Sequence, residues 1–133
     1  MSFFISIEGF DGTGKSTQGS ILKKNLDDLN IDSILVREPG STSFSEKIRE
    51  ILKENTEIET LTELLLFQAS RYELVKKVII PNLEMGKVVI TDRFSDSSIA
   101  YQGYGGGLDI KLIDTLGDSG DILIYSDYEI RIL

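Results

Sequence analysis

The hydrophobic positions of the chain fall into short apolar runs that alternate with helical patterns. Residues 3–7 form the first run, which ends at Glu8-Gly9. Comparable runs cover residues 33–36, 87–91 and 121–125. Nearly continuous apolar runs of about five residues are typical of strands buried on both faces of a parallel sheet. The pattern therefore predicts four strands.

Helical spacing of apolar residues separates these strands. After the first strand, it predicts an amphipathic helix whose core face consists of Ile21, Leu22, Leu26 and Leu29. Two capping boxes, in which a hydroxyl and a carboxylate three residues apart satisfy the free amides of a helix start, predict two more helices. The boxes are Ser43 with Glu46 and Thr60 with Glu63, and the helices cover residues 44–53 and 61–80.

The longer of these helices has an apolar stripe that predicts its core face. The stripe consists of Leu61, Leu64, Leu65, Leu74, Val75, Val78 and Ile79. Pro81 and Gly86 predict where the helix ends, because proline interrupts the hydrogen-bond ladder and glycine adopts left-handed conformations readily.

Strands that alternate with helices predict an α/β fold with a central parallel sheet covered on both faces. The chain has 133 residues, and its two prolines, Pro39 and Pro81, do not lie in hinge-like tracts. We therefore expect one domain. Ligands of such sheets bind beyond the carboxyl ends of the strands, and the motifs that carry chemistry fall there.

Composition narrows the possible chemistry. The chain has no Cys and no His, which excludes disulfides, thiolate or imidazole metal sites and Ser-His-Asp relays. Asp and Glu number 22 against 14 Lys and Arg, and the net charge of -8 disfavours a nucleic-acid partner. No apolar run approaches the roughly 18 residues of a membrane span, and residues 1–7 are predicted to be a strand and not a signal peptide. We expect a cytoplasmic protein.

A glycine-rich motif follows the first predicted strand and opens the first predicted helix. Its residues are Gly9, Phe10, Asp11, Gly12, Thr13, Gly14, Lys15 and Ser16, with Thr17 next. They match G-x-x-x-x-G-K-[ST] in the context that a phosphate loop requires. Amides of such a loop bind phosphates, Lys15 places a positive charge near the β- and γ-phosphates, and Ser16 offers a hydroxyl to Mg²⁺. The motif predicts a nucleotide site.

The glycine-rich segments also have alternative interpretations. The phosphate-loop motif could be a turn with a solvated lysine, and a switch GTPase would need the N-K-x-D motif that the sequence lacks. The D-x-x-G match at residues 114–117 is short enough to arise by chance. Residues 103–108 lack the spacing of a dinucleotide fingerprint and are predicted to form a flexible surface loop.

Charged and aromatic residues elsewhere are candidates for a second ligand. Asp92 and Arg93 close the third predicted strand, where a carboxylate can order a metal shell and a guanidinium can bind a phosphate; the alternative is a structural ion pair. Phe67 and Arg71 are four residues apart, so they share one helix face and could bind a base. Taken alone, they are better explained as a core Phe and a surface Arg.

Four blocks occur in order along the chain, and together they identify a family. They are EGFDGTGKSTQ at residues 8–18, REPG at 37–40, LLFQASR at 65–71 and DRFSDSSIAYQG at 92–103. The combination closely resembles the thymidylate kinases of the bacterial type, and the last block is peculiar to that family among P-loop kinases. The resemblance covers roughly residues 3–103.

The resemblance implies a fold, an activity and ligands. The fold would be the three-layer P-loop nucleoside monophosphate kinase fold, and the activity ATP-dependent phosphorylation of dTMP to dTDP with Mg²⁺. A homodimer is implied as well. The acceptor oxygen is already ionised, so no general base is required, and catalysis would rest on positioning and charge neutralisation. The alternatives are another P-loop nucleoside monophosphate kinase or nucleotide switch, and a non-catalytic nucleotide-binding remnant.

The matching motifs also imply residue roles. Residues 9–17 would bind ATP, catalysis would fall to Lys15, Asp11 and Arg93, and metal binding to Ser16, Asp11 and Asp92. In the dTMP site, Arg93 would hold the acceptor phosphate, Phe67 would stack on thymine, and Arg71 and Ser98 would hydrogen-bond the base. The remaining dTMP contacts would be Tyr101 at the sugar edge, Asp11 at the ribose and phosphate, Pro39 in the pocket wall, and Gln102.

The sequence departs from the family pattern in two places. The family usually has R-E-P-G-G, whereas Ser41 takes the place of the second glycine here. The local turn could therefore differ from that of the family. Beyond residue 107 the match decays, so we expect a single P-loop kinase domain over residues 1–133 that is C-terminally incomplete, without the lid. The phosphate loop carries no arginine, so a lid would supply the catalytic one, and this chain would bind dTMP weakly and transfer phosphate poorly.

Overall fold

The computed structural model describes residues 2–118 and 128–132 and contains a four-stranded sheet in which every pairing is parallel. The strands are β1 (Phe3–Ile7), β2 (Ser33–Arg37), β3 (Val88–Asp92) and β4 (Tyr128–Ile132), in the order β2-β3-β1-β4. The first three predicted strands are confirmed to within one residue at each end. The strand predicted at residues 121–125 lies outside the described residues, and β4 was not predicted.

Helices connect the strands and cover the sheet. They are α1 (Lys15–Asp28), α2 (Ser43–Glu54), α3 (Thr60–Leu74), α4 (Ile80–Glu84), α5 (Ser95–Ser98) and α6 (Ile110–Asp118), with π-helical segments at Val75–Ile79 and Ile99–Gly105. Within the described ranges, no helix combines the length and the apolar character that crossing a membrane requires.

The strand residues alternate between two apolar layers, one on each face of the sheet. On one face, Phe4 and Val89 pack with Leu74, Val75 and Ile79 of the long helical segment between β2 and β3. On the other face, the strands contribute Ile5, Ile7, Val88 and Ile90, against which Leu22 and Leu26 of α1 pack. Because both faces are covered, apolar residues occupy three consecutive positions in β1, β2 and β3. The predicted three-layer arrangement with a central parallel sheet is confirmed.

The predicted helix faces are correct only in part. In α1, Leu22 and Leu26 pack on the sheet, whereas Leu29 is 68% exposed at the C-terminus of the helix. In α3, Leu64 and Leu74 are fully buried, but Leu61 and Leu65 are exposed. Periodicity identified an apolar stripe wider than the surface that the sheet can cover.

Neither capping box forms as predicted. In both helices the observed N-cap precedes the predicted one by one residue, and the second helix has no side-chain cap bond. The N-cap of α2 is Thr42, whose Oγ1 accepts from the Ser45 N–H at 3.0 Å. Ser43 is therefore the first helical residue and not the cap. At α3 the N-cap is Glu59, which makes no side-chain cap bond, and the Glu63 carboxylate instead accepts from the Gln102 amide.

Two segments that the sequence predicts as a helix end and as a flexible loop are helical in the structure. The chain passes through Pro81 as part of α4 and leaves the helix near Gly86, because the wider π-helical turn before α4 accommodates a proline that lacks an N–H. The glycines from residue 103 onward begin inside a π-helical segment and not in a flexible loop. Gly103 is buried against α6, where an added Cβ would lie 2.5 Å from Ile110 Cδ1, so a larger residue would require the Ile110 side chain to move.

Candidate functional site

The glycine-rich loop between β1 and α1 curls around the end of the sheet and delivers Lys15 to the first turn of α1. Gly12 and Gly14 have φ values of 79° and 86°, a left-handed conformation that is costly for other residues. The Lys15 ammonium group donates to the Phe10 carbonyl at 2.7 Å, and the Thr13 hydroxyl donates to the same oxygen at 2.7 Å. The loop is thereby closed on itself, with the N-terminus of α1 facing the space above β3.

A polar cleft of about 420 Å³ opens at this point, at the carboxyl ends of the strands. It is lined by Asp11, Gly12, Gly14, Lys15, Ser16, Thr17, Arg37, Glu38, Arg49, Asp92 and Arg93. We call it the phosphate cleft. A helix N-terminus and several cationic side chains around one cavity favour a bound polyanion. Of the predicted loop residues, Gly9, Phe10 and Thr13 lie outside this lining and border a neighbouring apolar cleft beside α1.

Two oxygen-bearing side chains meet in the phosphate cleft. The Ser16 hydroxyl donates to Asp92 Oδ2, joining the first turn of α1 to the end of β3. A hydroxyl and a carboxylate side by side suit Mg²⁺, which proteins often hold through one or two carboxylates together with substrate phosphates. The described residues contain no cluster of three or more acidic side chains that would hold a metal alone. The pair Ser16 and Asp92 therefore fits the cofactor that the motif implies.

A second cleft, of about 260 Å³, lies beside the first between α2, α3 and the segment after β3. We call it the side cleft. It is lined by Asp11, Glu38, Pro39, Arg49, Leu52, Lys53, Glu63, Phe67, Arg93, Ser97, Ser98, Tyr101 and Gln102. The mixture of one aromatic face, apolar walls and convergent polar groups is typical of a site for a small planar ligand.

Arg93 lies at the border of the two clefts in an unusual conformation. Its φ is +71°, a left-handed value that is rare for a residue with a side chain. Its guanidinium is paired with the Asp11 carboxylate and packs over the Tyr101 ring, 5.1 Å from the centroid. Burial lowers the pKa of Arg93, but the Tyr101 phenol and the Asp11 carboxylate outweigh burial, so the pKa is raised and the group remains a cation.

Arg71 is 3% exposed and lies behind the side cleft, not among its lining residues. Its Nε donates to Glu38, and one terminal nitrogen donates to the Phe94 carbonyl at 3.2 Å and to the Ser98 hydroxyl at 3.0 Å. The other Glu38 oxygen has no hydrogen-bond partner among the described residues. Burial therefore dominates over the pairing with Arg71 and raises the pKa of Glu38 to about 7.

Ser41 replaces a glycine of the family pattern and still forms the turn. Its φ is +67°, and its hydroxyl accepts from the Arg37 N–H at 2.8 Å. Its own N–H donates to Glu46 at 2.8 Å. These bonds offset the cost of a left-handed serine, and Arg37 and Glu46 complete the turn with a salt bridge. The turn also contains the cis peptide bond between Glu38 and Pro39.

The structure adds three residues to the site that the motifs do not predict: Glu8, Arg49 and Ser97. Arg49 of α2 lines both clefts and donates to the Pro39 carbonyl at 2.9 Å. Its position on the helix face that also carries Ser45 and Leu52 is the only sequence signal. Glu8 and Ser97 are 89 residues apart in sequence and joined by a hydrogen bond, which no local pattern predicts.

Comparison with known proteins gives a consistent result. The family model for thymidylate kinase matches residues 7–132. The thymidylate kinase of Kosmotoga olearia is 51% identical over 116 residues, which cover 86% of this chain and 56% of that protein. The thymidylate kinase of Pelodictyon phaeoclathratiforme is 50% identical over 132 residues, covering 94% of this chain and 61% of that protein. The chain thus spans little more than half the length of these relatives.

A solved structure has the same fold. The crystal structure of thymidylate kinase from Ehrlichia chaffeensis superimposes with a TM-score of 0.90 at 45% identity, over 99% of this chain and 71% of that one. The P-loop fold, the two adjoining clefts and the ordered motifs agree with the family match over nearly the whole chain. The chain belongs to the thymidylate kinase family.

Proposed function

We propose that this protein transfers the γ-phosphoryl group of ATP to dTMP and releases dTDP and ADP. Family membership, the phosphate loop and the side cleft support this proposal. The observation that carries it is the junction between the two clefts, whose shared lining consists of Asp11, Glu38, Arg49 and Arg93. Two ligands that meet at this junction would bring their phosphates together beside two guanidinium groups.

The phosphate cleft is the donor site in this proposal. The phosphate loop, residues 9–17, binds the ATP phosphates through its amides and the first turn of α1. Lys15 leaves the Phe10 carbonyl and turns to the β- and γ-phosphates. Ser16 and Asp92, with Asp11 nearby, hold Mg²⁺, which neutralises charge on the donor phosphates when bound.

The side cleft is the acceptor site. Phe67 offers its ring to the thymine, while Ser98 and Gln102 present polar atoms to the base edge and Pro39 forms a wall. Arg71 lies behind Ser98 and affects the base indirectly, by donating a hydrogen bond to the Ser98 hydroxyl. Tyr101 crowds the sugar edge, which disfavours a 2′-hydroxyl. Arg93, joined by Arg49, binds the acceptor phosphate.

The reaction needs positioning more than proton transfer. An ionised oxygen of the acceptor phosphate attacks the γ-phosphorus, and the bond from that phosphorus to the β-γ bridging oxygen breaks, leaving ADP. No proton has to be removed, so the absence of histidine from the chain is no obstacle. Arg93 and Lys15 stabilise the charge that spreads over the transferring group.

A coupled ADP-release assay on the 133-residue chain tests the proposal. With ATP as donor, dTMP should be phosphorylated in preference to dUMP, AMP, CMP and GMP. Preference for another monophosphate would indicate a different nucleoside monophosphate kinase. Binding of ATP and dTMP without any turnover would indicate a nucleotide-binding remnant. A single domain, a homodimer and a cytoplasmic location stay predictions of the sequence.

A further inference from the structure

We propose that Glu8 is a positioning residue, which acts with Ser97 to fix Arg93 at a set distance from the phosphate loop. The proposal rests on the proposed function, in which Arg93 binds one phosphate and the loop binds the other. Phosphoryl transfer then depends on the spacing of these two elements, since small misplacements of reacting groups cost large factors in rate. Glu8 itself would touch neither ligand phosphate.

Three consecutive residues at the end of β1 bond the segment after β3. The Ile7 carbonyl accepts from the Arg93 N–H at 3.0 Å. The Glu8 carboxylate accepts from the Phe94 N–H at 2.7 Å. The Gly9 carbonyl, at the start of the phosphate loop, accepts from the Arg93 guanidinium at 3.1 Å. Backbone and side-chain hydrogen bonds therefore hold the start of the phosphate loop against the segment that contains Arg93 and Phe94.

Ser97 extends this contact to the arginine side chain. Its hydroxyl donates to the second Glu8 oxygen at 2.7 Å, and the same hydroxyl oxygen accepts from the Arg93 guanidinium at 3.3 Å. Glu8 thus reaches Arg93 by two routes, one through the neighbouring Phe94 amide and one through Ser97. Both of its oxygens are used within the protein.

The arrangement explains why a carboxylate is buried at this position, where the Ser97 hydroxyl and the Phe94 N–H both donate to it. Glu8 is 8% exposed, and burial raises its pKa, although the Ser97 and Phe94 hydrogen bonds oppose that effect. Burying a charged group is unfavourable unless strong hydrogen bonds compensate for the lost water. A charged acceptor offers stronger bonds than an amide, and the left-handed conformation of Arg93 needs such support.

Hydrogen exchange tests the contact without any ligand. Exchange of the Phe94 amide proton should be about 5- to 10-fold faster in Glu8→Gln than in the wild type, because a neutral acceptor replaces a charged one. Glu84→Gln, which changes an exposed carboxylate, is the matched control and should leave that rate unchanged. Equal Phe94 exchange in Glu8→Gln and wild type would overturn the proposal.

Ligand affinities separate positioning from a merely structural role. Glu8→Gln should weaken dTMP binding about 5- to 10-fold and leave thymidine binding unchanged, because only dTMP has the phosphate that Arg93 binds. A structural role would lower both affinities together and would overturn the proposal. Ser97→Ala should reproduce the loss, Ser97→Thr should restore most of it, and combining Ser97→Ala with Glu8→Gln should add little.

The two proposals fail in different ways. If the wild-type chain binds AMP or CMP better than dTMP, the proposed function is wrong, and the Phe94 exchange rate still decides the role of Glu8. If dTMP binds with the expected preference but the dTMP-to-thymidine affinity ratio is the same in Glu8→Gln and wild type, the positioning role is wrong and the proposed function stands.

Discussion

Lys15 as a residue is 8% exposed, and its ammonium group donates to the Phe10 carbonyl in the ligand-free protein. A cation held by its own loop is positioned in the lining of the phosphate cleft. When phosphates enter, a stronger charge-assisted bond replaces the bond to a neutral carbonyl. In the proposed function, the lysine would contribute to donor binding and transfer, and much less to acceptor binding.

Lys15→Ala should reduce phosphoryl transfer by about 100-fold or more, because it removes a preorganised positive charge where charge develops in the transition state. Its effect on dTMP affinity should be small. Steady-state turnover and calorimetric titration of dTMP measure the two effects. Lys24→Ala, an exposed lysine of the same helix, serves as the control. Wild-type turnover in Lys15→Ala would contradict the donor-site assignment.

Phe67→Ala should weaken dTMP binding by about 10-fold, since stacking on an aromatic ring contributes about 1 to 3 kcal/mol per base. ATP affinity should be unchanged, because Phe67 lines the side cleft and is not in the described lining of the phosphate cleft. Leu65→Ala removes an exposed apolar side chain from the same helix and controls for loss of helix stability. Equal losses of dTMP and ATP affinity would make Phe67 a core residue.

The two buried carboxylates make stability depend on pH. Burial raises the pKa of Glu38 to about 7 from 4.5, and it raises the pKa of Glu8 as well. Between the unfolded-state pKa of Glu38, 4.5, and its folded-state pKa, about 7, the folded protein binds more protons than the unfolded chain. The free energy of unfolding therefore falls as the pH rises toward 7. The Glu46 pKa is lowered by the Ser41 N–H and Arg37, so Glu46 has the opposite effect, in more acidic solution.

Glu38→Gln should therefore flatten the decline of unfolding free energy between about pH 5 and pH 7. At and above pH 7, where Glu38 is ionised, the variant should also be less stable by several kcal/mol, since Arg71 loses its buried counter-ion. Urea denaturation at a series of pH values measures both effects. Glu46→Gln should leave the slope in this window unchanged. A wild-type slope in Glu38→Gln would show that Glu38 is already ionised throughout the window.

At the scale of elements, the turn from β2 into α2 and the helix that follows supply lining residues to both clefts. Residues 38–42 turn sharply, with Gly40 and Ser41 both at positive φ. Helix α2 then starts at Ser43 and places Arg49 at the junction of the clefts. The start of this helix is held by the Thr42 cap and by Glu46, which accepts from the Ser41 N–H. Correct placement of Arg49 thus depends on the cap.

Thr42→Ala should destabilise the protein by about 1 kcal/mol, because it removes the hydroxyl that satisfies the Ser45 N–H. Ser43→Ala is the matched control: the sequence predicted Ser43 as the cap, but the structure places it inside the helix. Its effect should be within a few tenths of a kcal/mol. Thermal or urea unfolding measures the difference. A larger loss in Ser43→Ala than in Thr42→Ala would contradict the cap assignment.

At the scale of the whole molecule, the sheet order places the functional loops side by side. β1 lies between β3 and β4, so the phosphate loop after β1 is adjacent to Asp92 and Arg93 after β3. β2 borders β3 on the other side and brings Glu38 and Pro39 to the same edge. The clefts adjoin and share lining residues because three loops from neighbouring strands lie at one end of the sheet.

A ligand that links adenosine to thymidine through a chain of phosphates should bind at least about 10-fold more tightly than dTMP alone. The reason is that the two clefts adjoin, so binding of one half raises the effective concentration of the other half. Competition against a fluorescent nucleotide measures the affinity. Lys15→Ala should remove most of the advantage by weakening the donor half. An affinity no better than that of dTMP would mean that the clefts cannot be filled together.

Local sequence patterns predicted those features that depend on neighbouring residues. The apolar runs predicted β1, β2 and β3, because continuous hydrophobicity reflects burial on both faces of the sheet. The glycine-lysine motif predicted the phosphate loop, since the left-handed positions and the following helix are encoded within eight residues. The ordered motifs then predicted the family, which the comparisons confirm.

Tertiary structure alone decided which residues meet across long separations. The sequence did not indicate that Glu8 bonds Ser97, that Glu38 pairs with Arg71, or that Arg71 lies buried behind the side cleft. Such contacts are set by the order of the strands and by how helices pack on them, and neither is encoded in local spacing. The same reason explains the exposed Leu61 and Leu65: a helical stripe shows which residues can be buried, but only the neighbouring elements determine which ones are.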